Sequence, residues 1–378
     1  MKKILIAHQS TIPHYRIDFY NALEATRPKE WCFNVVFDSS ELQKKRFFNE
    51  NIDISSFKFP TVETKTYAFK YGEKLFTYQD FLLKASEYDL IVVGSALSNI
   101  SYSLCLLHKF FGRHYVVWGH GKDRTVAKPN KVKRMLEMIR SLLSKNADGY
   151  MAYTVDVKNH LEKIGLESSK IFVLNNTIDI LKQRKFYERI KPERRLIKQE
   201  LGLSEKKILL FVGRFTKNKR IEFLLQAFKH LLCIDPDFHL LMVGSGSDHY
   251  KLLAPNQVSF LNIITDLNKL APLYVASDAF LFPGDVGLGP LQALCYDLPI
   301  ITVESPTHMP EVAYLSPCNS IILPSNISPE GYAKAINELY NNPEKLKSLR
   351  SSIWDSIRHL TIEQMAKNFI DGINTVLK

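Results

Sequence analysis

Ile208-Leu209-Leu210-Phe211-Val212-Gly213-Arg214-Phe215-Thr216-Lys217-Asn218-Lys219-Arg220-Ile221 is the stretch from which the fold can be read. An unbroken apolar run, Ile208 to Val212, closed by a glycine is the pattern of a strand buried on both faces. Beyond a basic loop, Ile221, Leu224, Leu225, Phe228, Leu231 and Leu232 recur at i, i+3, i+4 and i+7, the apolar stripe of an amphipathic helix. The next apolar run, His239–Gly244, supplies a second strand, so the stretch opens a βαβ unit with a parallel pairing.

The same alternation extends in both directions. Downstream, further strands are expected at Ser259–Leu261, Ala279–Phe282, Ile300–Val303 and Ser320–Leu323. Upstream, a separate series comprises Ile4–His8, Asn34–Phe37, Leu90–Gly94, Tyr115–Trp118, Gly149–Tyr153 and Ile171–Leu174. Two such series predict an α/β protein with two doubly wound, Rossmann-like parallel-sheet domains. The length of 378 residues agrees, because single cores stop growing near ~250–300 residues. Between Lys182 and Lys207 there are ten basic and four acidic residues and Pro192, which reads as a connecting segment with a solvated helix. The expected domains are therefore 1–185 and 186–361, with an amphipathic helix over 362–378 that packs back across the junction.

Composition removes several classes of function. With 46% hydrophobic and 24% charged residues the chain is neither disordered nor fibrous. No apolar run reaches the ~18 residues that a membrane-spanning helix needs. Ile4–Ala7 ends at His8 and reads as a strand, not an export signal. Five scattered cysteines (Cys32, Cys105, Cys233, Cys295, Cys318) lack metal or redox spacing, which predicts buried, reduced thiols and a cytoplasmic protein. The formal charge of +11 calls for an anionic partner: nucleic acid, a membrane surface or a phosphorylated small molecule. No nucleic-acid module is evident, and the aromatic residues do not interleave with basic ones beyond short runs such as Tyr67–Tyr71.

Ligands of open α/β sheets bind beyond the carboxyl ends of the strands, and with two domains the expected site is the cleft between them. Arg214 directly follows a strand and Lys219 stands five residues later, a planar fork and a point charge suited to a diphosphate. A solvated basic loop is the plainer explanation, since Lys217 and Arg220 are also positive. Phe282-Pro283-Gly284-Asp285-Val286-Gly287-Leu288-Gly289-Pro290-Leu291-Gln292 brings three glycines between a strand and a helix, where backbone N–H groups can face an anion. Alone this is a plain turn, because neither the dinucleotide fingerprint nor the P-loop spacing is present.

Taken in order, Gly213-Arg214…Lys219, Val243-Gly244-Ser245-Gly246, Gly287-Leu288-Gly289, Pro310-Glu311-Val312 and Pro343-Glu344-Lys345-Leu346 resemble the retaining glycosyltransferases of the GT-B fold, family-4 type. The resemblance covers about 208–349. It implies two domains facing across a cleft and a nucleotide-sugar donor, UDP- or GDP-linked, on the second domain. Its diphosphate would lie on Arg214 and Lys219, with Gly213, Asp285, Gly287, Leu288, Gly289 and Gln292 around it. The family's usual pair of glutamates, eight residues apart, falls here at Gly284 and Gln292. Asp285 is the nearest carboxylate, one residue late, and Gln292 can bond ribose hydroxyls only without charge. A bacterial subset with Pro-Gly-x-Val-Gly-Leu in this loop is similar.

In the first half Pro13-His14-Tyr15-Arg16, Trp118-Gly119-His120-Gly121 and Asn175-Asn176-Thr177-Ile178-Asp179 resemble the same subset. His120, flanked by glycines that permit close approach, is expected in the cleft beside the donor, although a satisfied structural histidine is the plainer reading. Arg16, with Tyr15, is expected at the mouth of the first loop as a contact for an acceptor phosphate, or in a surface salt bridge. Asp235-Pro236-Asp237 has the Asp-x-Asp form of metal-dependent transferases but sits at a turn, so neither a metal nor another cofactor is expected. The basic, amphipathic stretch Lys128–Lys145, and Lys44-Lys45-Arg46-Phe47-Phe48, are candidates for contact with an anionic membrane, an ordinary domain helix with its core face inward being the equal alternative.

These readings converge on a metal-independent retaining glycosyltransferase acting on a saccharide acceptor, lipid-linked, in surface polysaccharide or glycan assembly. It is expected to be cytoplasmic and peripheral on the inner face of the cell membrane, with no nucleic-acid partner. The competing expectation is a non-catalytic relative that binds sugar nucleotide or glycan, since both usual glutamates are missing.

Overall fold

Strands form where the apolar runs are. The computed structural model describes residues 1–9, 11–38, 54–71, 74–110, 112–124, 130–246 and 248–378; the basic stretch Lys44–Phe48 lies outside the described residues. In chain order the strands are β1 (Lys2–Ala7), β2 (Trp31–Phe37), β3 (Thr61–Glu63), β4 (Thr66–Tyr71), β5 (Lys74–Gln79), β6 (Leu90–Gly94), β7 (His114–Gly119), β8 (Gly149–Ala152), β9 (Ile171–Val173), β10 (Lys207–Val212), β11 (Phe238–Val243), β12 (Val258–Leu261), β13 (Ala279–Phe282), β14 (Ile300–Val303) and β15 (Ser320–Leu323). Every strand expected from an apolar run is present. The three that were not expected, β3, β4 and β5, are short or rich in polar residues, so no continuous hydrophobic signal marks them.

The chain divides into two compact units, Met1–Asp179 with Leu360–Lys378, and Ile180–His359. In the first, a parallel sheet runs β3-β2-β1-β6-β7-β8-β9, with β4 and β5 forming a separate antiparallel pair. In the second, a parallel sheet runs β12-β11-β10-β13-β14-β15. Strand order reverses between β1 and β6 in one sheet and between β10 and β13 in the other. Those reversals open a crevice at the carboxyl ends, because the crossovers on either side leave in opposite directions. The central strands are sealed: Ile4–Ala7 and Ile208–Phe211 have no exposure.

Two expectations need correction. Lys182–Lys207 holds helices Ile180–Ile190 and Arg194–Glu200, largely solvated as expected, but they belong to the second unit, which begins at Ile180 and not at residue 186. Two of their basic residues reach carboxylates elsewhere in the unit, Arg184 to Asp297 at 2.6 Å and Arg194 to Asp278, while Lys185, Arg189 and Arg195 are exposed and Ile180 and Tyr187 are buried. A count of charges cannot distinguish solvated cations from paired ones. Nor are all the thiols buried, since Cys233 and Cys318 are exposed. The last helix, Ile362–Val376, belongs to the first unit. It buries Met365, Phe369 and Ile373 in that core, and Thr177 Oγ1 donates to the Leu360 carbonyl just before it at 2.7 Å.

Candidate functional site

In the second unit the two singled-out segments meet at the β10/β13 reversal. After β10 the backbone bends through Gly213 beside the end of β11, where a Cβ on Gly244 would lie 1.9 Å from the Gly213 carbonyl oxygen. That contact is why Val243-Gly244 needs a glycine. The chain then passes Arg214, which is exposed, and a short 3₁₀ turn, Lys217–Lys219. It enters helix Ile221–Ile234 through Arg220 at φ 54°, a left-handed conformation that costs a bulky residue about 1–3 kcal/mol.

Lys219 is half-buried. Its ammonium donates to the Asp285 carbonyl and lies 4.8 Å from the centre of the Phe282 ring. Burial pushes it down to about 8, with Arg214 adding to the shift while Asp285 and Glu311 oppose it. A lysine so placed is still charged at neutral pH but poorly hydrated, which strengthens any bond it makes to a phosphate oxygen.

The glycines of the second segment divide into two kinds. A Cβ on Gly284 would lie 2.3 Å from the Asn218 carbonyl oxygen and 2.4 Å from Lys219 Cα, so the protein itself occupies that space. At Gly287 and Gly289 a Cβ would meet only Met309 Cγ at 3.9 Å and Val212 O at 3.7 Å, ordinary contacts. These two leave the N-terminus of helix Leu288–Leu294 open, and the N–H groups of Leu288 and Gly289 have no helical acceptor there. Gln292 is half-buried, and its amide donates to Gln183 Oε1 at 3.4 Å, which leaves its carbonyl oxygen as an acceptor. Asp285 is 8% exposed and bonded by side chains of its own unit. Beside it, at the ends of β14 and β15, a hollow of about 440 Å³ is lined by residues including Glu304, Ser305, His308 and Ser325.

In the first unit the residues near the β1 and β7 ends form an aromatic cluster. Arg16, expected at a loop mouth, is fully buried in helix His14–Thr26. Its guanidinium lies 4.9 Å from the Trp118 ring centre and 5.3 Å from that of the half-buried Tyr15, and donates to Tyr153 Oη at 3.3 Å. A residue with no exposure does not meet a substrate from solvent, and no carboxylate pairs with it among the described contacts. The position inside the helix, two residues past its start, turns the side chain onto the sheet. His8, at the end of the first strand, stacks on Trp118 at 3.9 Å and shares a hydrogen bond of 3.1 Å with Tyr153 Oη.

His120 packs edge-on to Tyr153 with ring centres 4.4 Å apart. Burial, then Arg124, Arg16 and Arg140, push it down to about 4, so it is neutral near pH 7. The glycines beside it have structural causes. A Cβ on Gly119 would fall 2.0 Å from Ser95 Oγ, and Gly121 has φ +77° while its N–H donates to Tyr150 Oη at 3.0 Å. They are required by the protein's own packing, so they say nothing about ligand approach.

Asp235 and Asp237 lie before β11, at the amino end of the sheet, where they pair with Lys207 at 2.5 Å and Lys206 at 3.0 Å. Among the described residues no group of three or more His, Cys, Asp or Glu side chains is arranged to hold a metal ion. Helix Lys131–Asn146 leaves Val132, Met135, Met138, Ile139 and Leu142 exposed in one row, with Lys131, Arg134 and Lys145 exposed along it. Lys133 turns away to Asp123 at 2.6 Å, and Glu137 pairs with Arg140. No described helix is long and apolar enough to cross a membrane.

Comparisons with known proteins bear on the second unit above all. Residues 193–353 match the family model described as Glycosyl transferases group 1. A 170-residue segment is 31% identical to spore coat protein SA of Bacillus subtilis, covering 40% of this chain and 44% of that protein. The chain thus spans less than half the length of the curated relatives it matches. Over its whole length it resembles solved structures at low identity. Sucrose-phosphate synthase from Thermosynechococcus elongatus gives a TM-score of 0.73 at 17% identity, covering 100% of this chain and 99% of that one. Anabaena HepE in complex with UDP gives 0.71 at 14%, covering 99% and 100%. The fold is that of these GT-B proteins, two parallel α/β units.

Proposed function

We propose that the protein is a glycosyltransferase of the family-4 type that takes a sugar from a UDP- or GDP-linked donor with retention of configuration. The observation that carries this is the meeting of Arg214, Lys219 and the open Gly287–Gly289 loop at the β10/β13 reversal, where a doubly wound sheet holds its ligand. HepE, of the same fold, was crystallised with UDP and with UDP-glucose, which supports a nucleotide-sugar donor here. As the bond from the anomeric carbon to the donor phosphate breaks, negative charge grows on the departing diphosphate. Arg214 offers a bidentate fork to it, Lys219 a point charge, and the loop N–H groups add fixed dipoles. Gly213 lets the chain pass beneath the phosphates, Leu288 and Gly289 present N–H groups, and Gln292 accepts from a ribose hydroxyl.

This charge set needs no metal ion, and the Asp-x-Asp pair stands at the opposite end of the strands, held by lysines. The acceptor is a saccharide, lipid-linked, bound by the first unit in surface polysaccharide or glycan assembly. In that unit His120, neutral at physiological pH, is the candidate for a hydrogen bond to the donor's sugar or leaving phosphate, and half-buried Tyr15 is the acceptor-side candidate. Membrane contact at the inner face of the cell membrane falls to helix Lys131–Asn146, whose exposed apolar row and cations match an anionic bilayer.

A second reading is favoured by one observation. Backbone of the 218–219 turn fills the place of a side chain at Gly284, so no carboxylate can stand there. A protein that binds sugar nucleotide without turning it over would have this feature. A single experiment separates the two: incubation with UDP- and GDP-sugars in excess EDTA, following melting temperature and release of free nucleotide. Ligand binding raises the melting temperature by mass action. Nucleotide release in EDTA supports the metal-independent transferase; binding without release supports the binder, and no shift with any donor sinks both.

A further inference from the structure

Behind the two candidate cations, three loops are joined at one carboxylate. Asp285 Oδ1 accepts from Ser305 Oγ at 3.1 Å and Thr307 Oγ1 at 2.5 Å, and Oδ2 accepts from the Asn218 amide at 3.4 Å. Its backbone closes the same joint: the N–H donates to the Asn218 carbonyl at 2.9 Å, and the carbonyl accepts from the Lys219 ammonium. The missing side chain at Gly284 makes room for this contact. On the other side, Val286 N–H donates to His308 Nδ1 at 3.0 Å, and the Val286 carbonyl accepts from Met309 N–H at 2.9 Å. Segments leaving β10, β13 and β14 therefore converge on Gly284–Val286.

An ionised carboxylate has about four lone-pair sites, and three here are taken by side chains of the protein itself. Those partners are neutral, so the anion's charge is not cancelled by them and acts on the nearest cation. Asp285 thus has little left to offer a sugar, in contrast to the role its sequence position suggests.

We propose that Asp285 is a positioning residue: with Gly284 it forms a latch that fixes Lys219 and the 284–289 loop against each other, and it does not itself touch the donor. The role as a donor-site latch rests on the nucleotide-sugar reading above; the joint itself does not. Specificity for the donor sugar is then left to other groups.

The charges facing Lys219 are Arg214, Asp285 and Glu311, and the last two support its protonated form. Two full-length variants test the latch. Asp285→Asn removes the anion, and the double variant Ser305→Ala with Thr307→Val keeps the anion but frees it. Lys219 reactivity is followed against pH by competitive acetylation and mass spectrometry, without ligand, beside UDP titration calorimetry. Asp285→Asn should move the Lys219 midpoint to lower pH, and a drop of about one unit would weaken UDP about twofold at pH 7 as the charged fraction falls. The double variant should move the midpoint upward, toward that of an ordinary lysine, as the loops loosen and water enters.

Opposite shifts are the signature of a latch. An ordinary turn would lower the melting temperature of both variants and leave both midpoints in place, and that result overturns the proposal. Unchanged midpoint and UDP affinity in Asp285→Asn overturns it too. Should Asp285→Asn fail to fold, the double variant decides by the sign of its own shift. If UDP fails to bind the wild type while the opposite shifts appear, the nucleotide-sugar reading falls and the latch stands.

Discussion

In the second unit the cations that follow the switch-point strand stand at the rim, Arg214 exposed and Lys219 half-buried, while in the first unit the guanidinium in the helix after β1 is sealed among rings. Both sheets are parallel, and both reverse order beside their first strand. What differs is the neighbourhood. Around Arg214 and Lys219 there are open glycines and a helix N-terminus, all suited to an anion. Around Arg16 there are Trp118, Tyr153 and Met365, which accept a planar cation by its faces and edges. One architecture therefore leaves an arginine exposed at a strand end in one unit and packs one into the core of the other.

The comparison breaks first, and by the largest effect, on the rim cations. Arg214→Ala and Lys219→Met should each lower turnover ~10²–10³-fold, about 2.7–4 kcal/mol of transition-state stabilisation, in a steady-state assay of nucleotide release. Methionine is chosen at Lys219 to keep its packing on Phe282. Arg214→Lys should recover only part, lacking the fork, and Lys217→Ala should be nearly silent. Equal losses in all of these would mean diffuse charge and not a site.

The buried cation should respond in stability instead. Arg16→Ala is expected to cost about 2–3 kcal/mol in urea denaturation through lost packing, and Arg16→Met under about 1.5 kcal/mol, because volume is kept and an unpaired charge removed. If Arg16→Met unfolds the chain, the guanidinium is held by a counter-charge, and the contrast between the two units fails.

Acidity sharpens the contrast further. Lys219 is depressed to about 8, so its charge is present below that pH and lost above it. UDP affinity of the free protein should therefore fall as pH rises through about 8, by at most tenfold per unit. His120, at about 4, should leave the profile flat between pH 5 and 7 and contribute only below that. An acid limb near 6.5 would place His120 in contact with water and not against Tyr153.

The smallest effect per side chain concerns helix Lys131–Asn146 of the first unit. Replacing Lys131, Arg134 and Lys145 by Gln should weaken binding to anionic vesicles by about 1 kcal/mol per charge, less at high salt. Lys133→Gln, bonded to Asp123, should weaken it least.

The legible part of this protein is what depends on local pattern. Apolar runs identified the strands of both parallel sheets apart from the edge strand β3, and the strand-end positions of Arg214, Lys219 and the glycine loop followed from them. Illegible were β3 and the antiparallel pair, whose polar residues give no such signal.

Side-chain partners belong to the tertiary structure. Nothing in Pro13-His14-Tyr15-Arg16 tells that the arginine turns inward, because Trp118 and Tyr153, which receive it, lie more than a hundred residues away. The glycines divide the same way: Gly119 and Gly284 are explained by Ser95 and by the Asn218–Lys219 backbone, contacts that exist only once distant loops have met. Asp285 is the sharpest case, a carboxylate whose neighbours in sequence suggest a ligand and whose neighbours in space are Asn218, Ser305 and Thr307. Sequence alone determined where strands end and which charges stand there, since burial follows hydrophobic period. Whether a charge faces solvent, a ring or another loop was decided by folding, since desolvation and hydrogen bonding depend on atoms brought near from elsewhere in the chain.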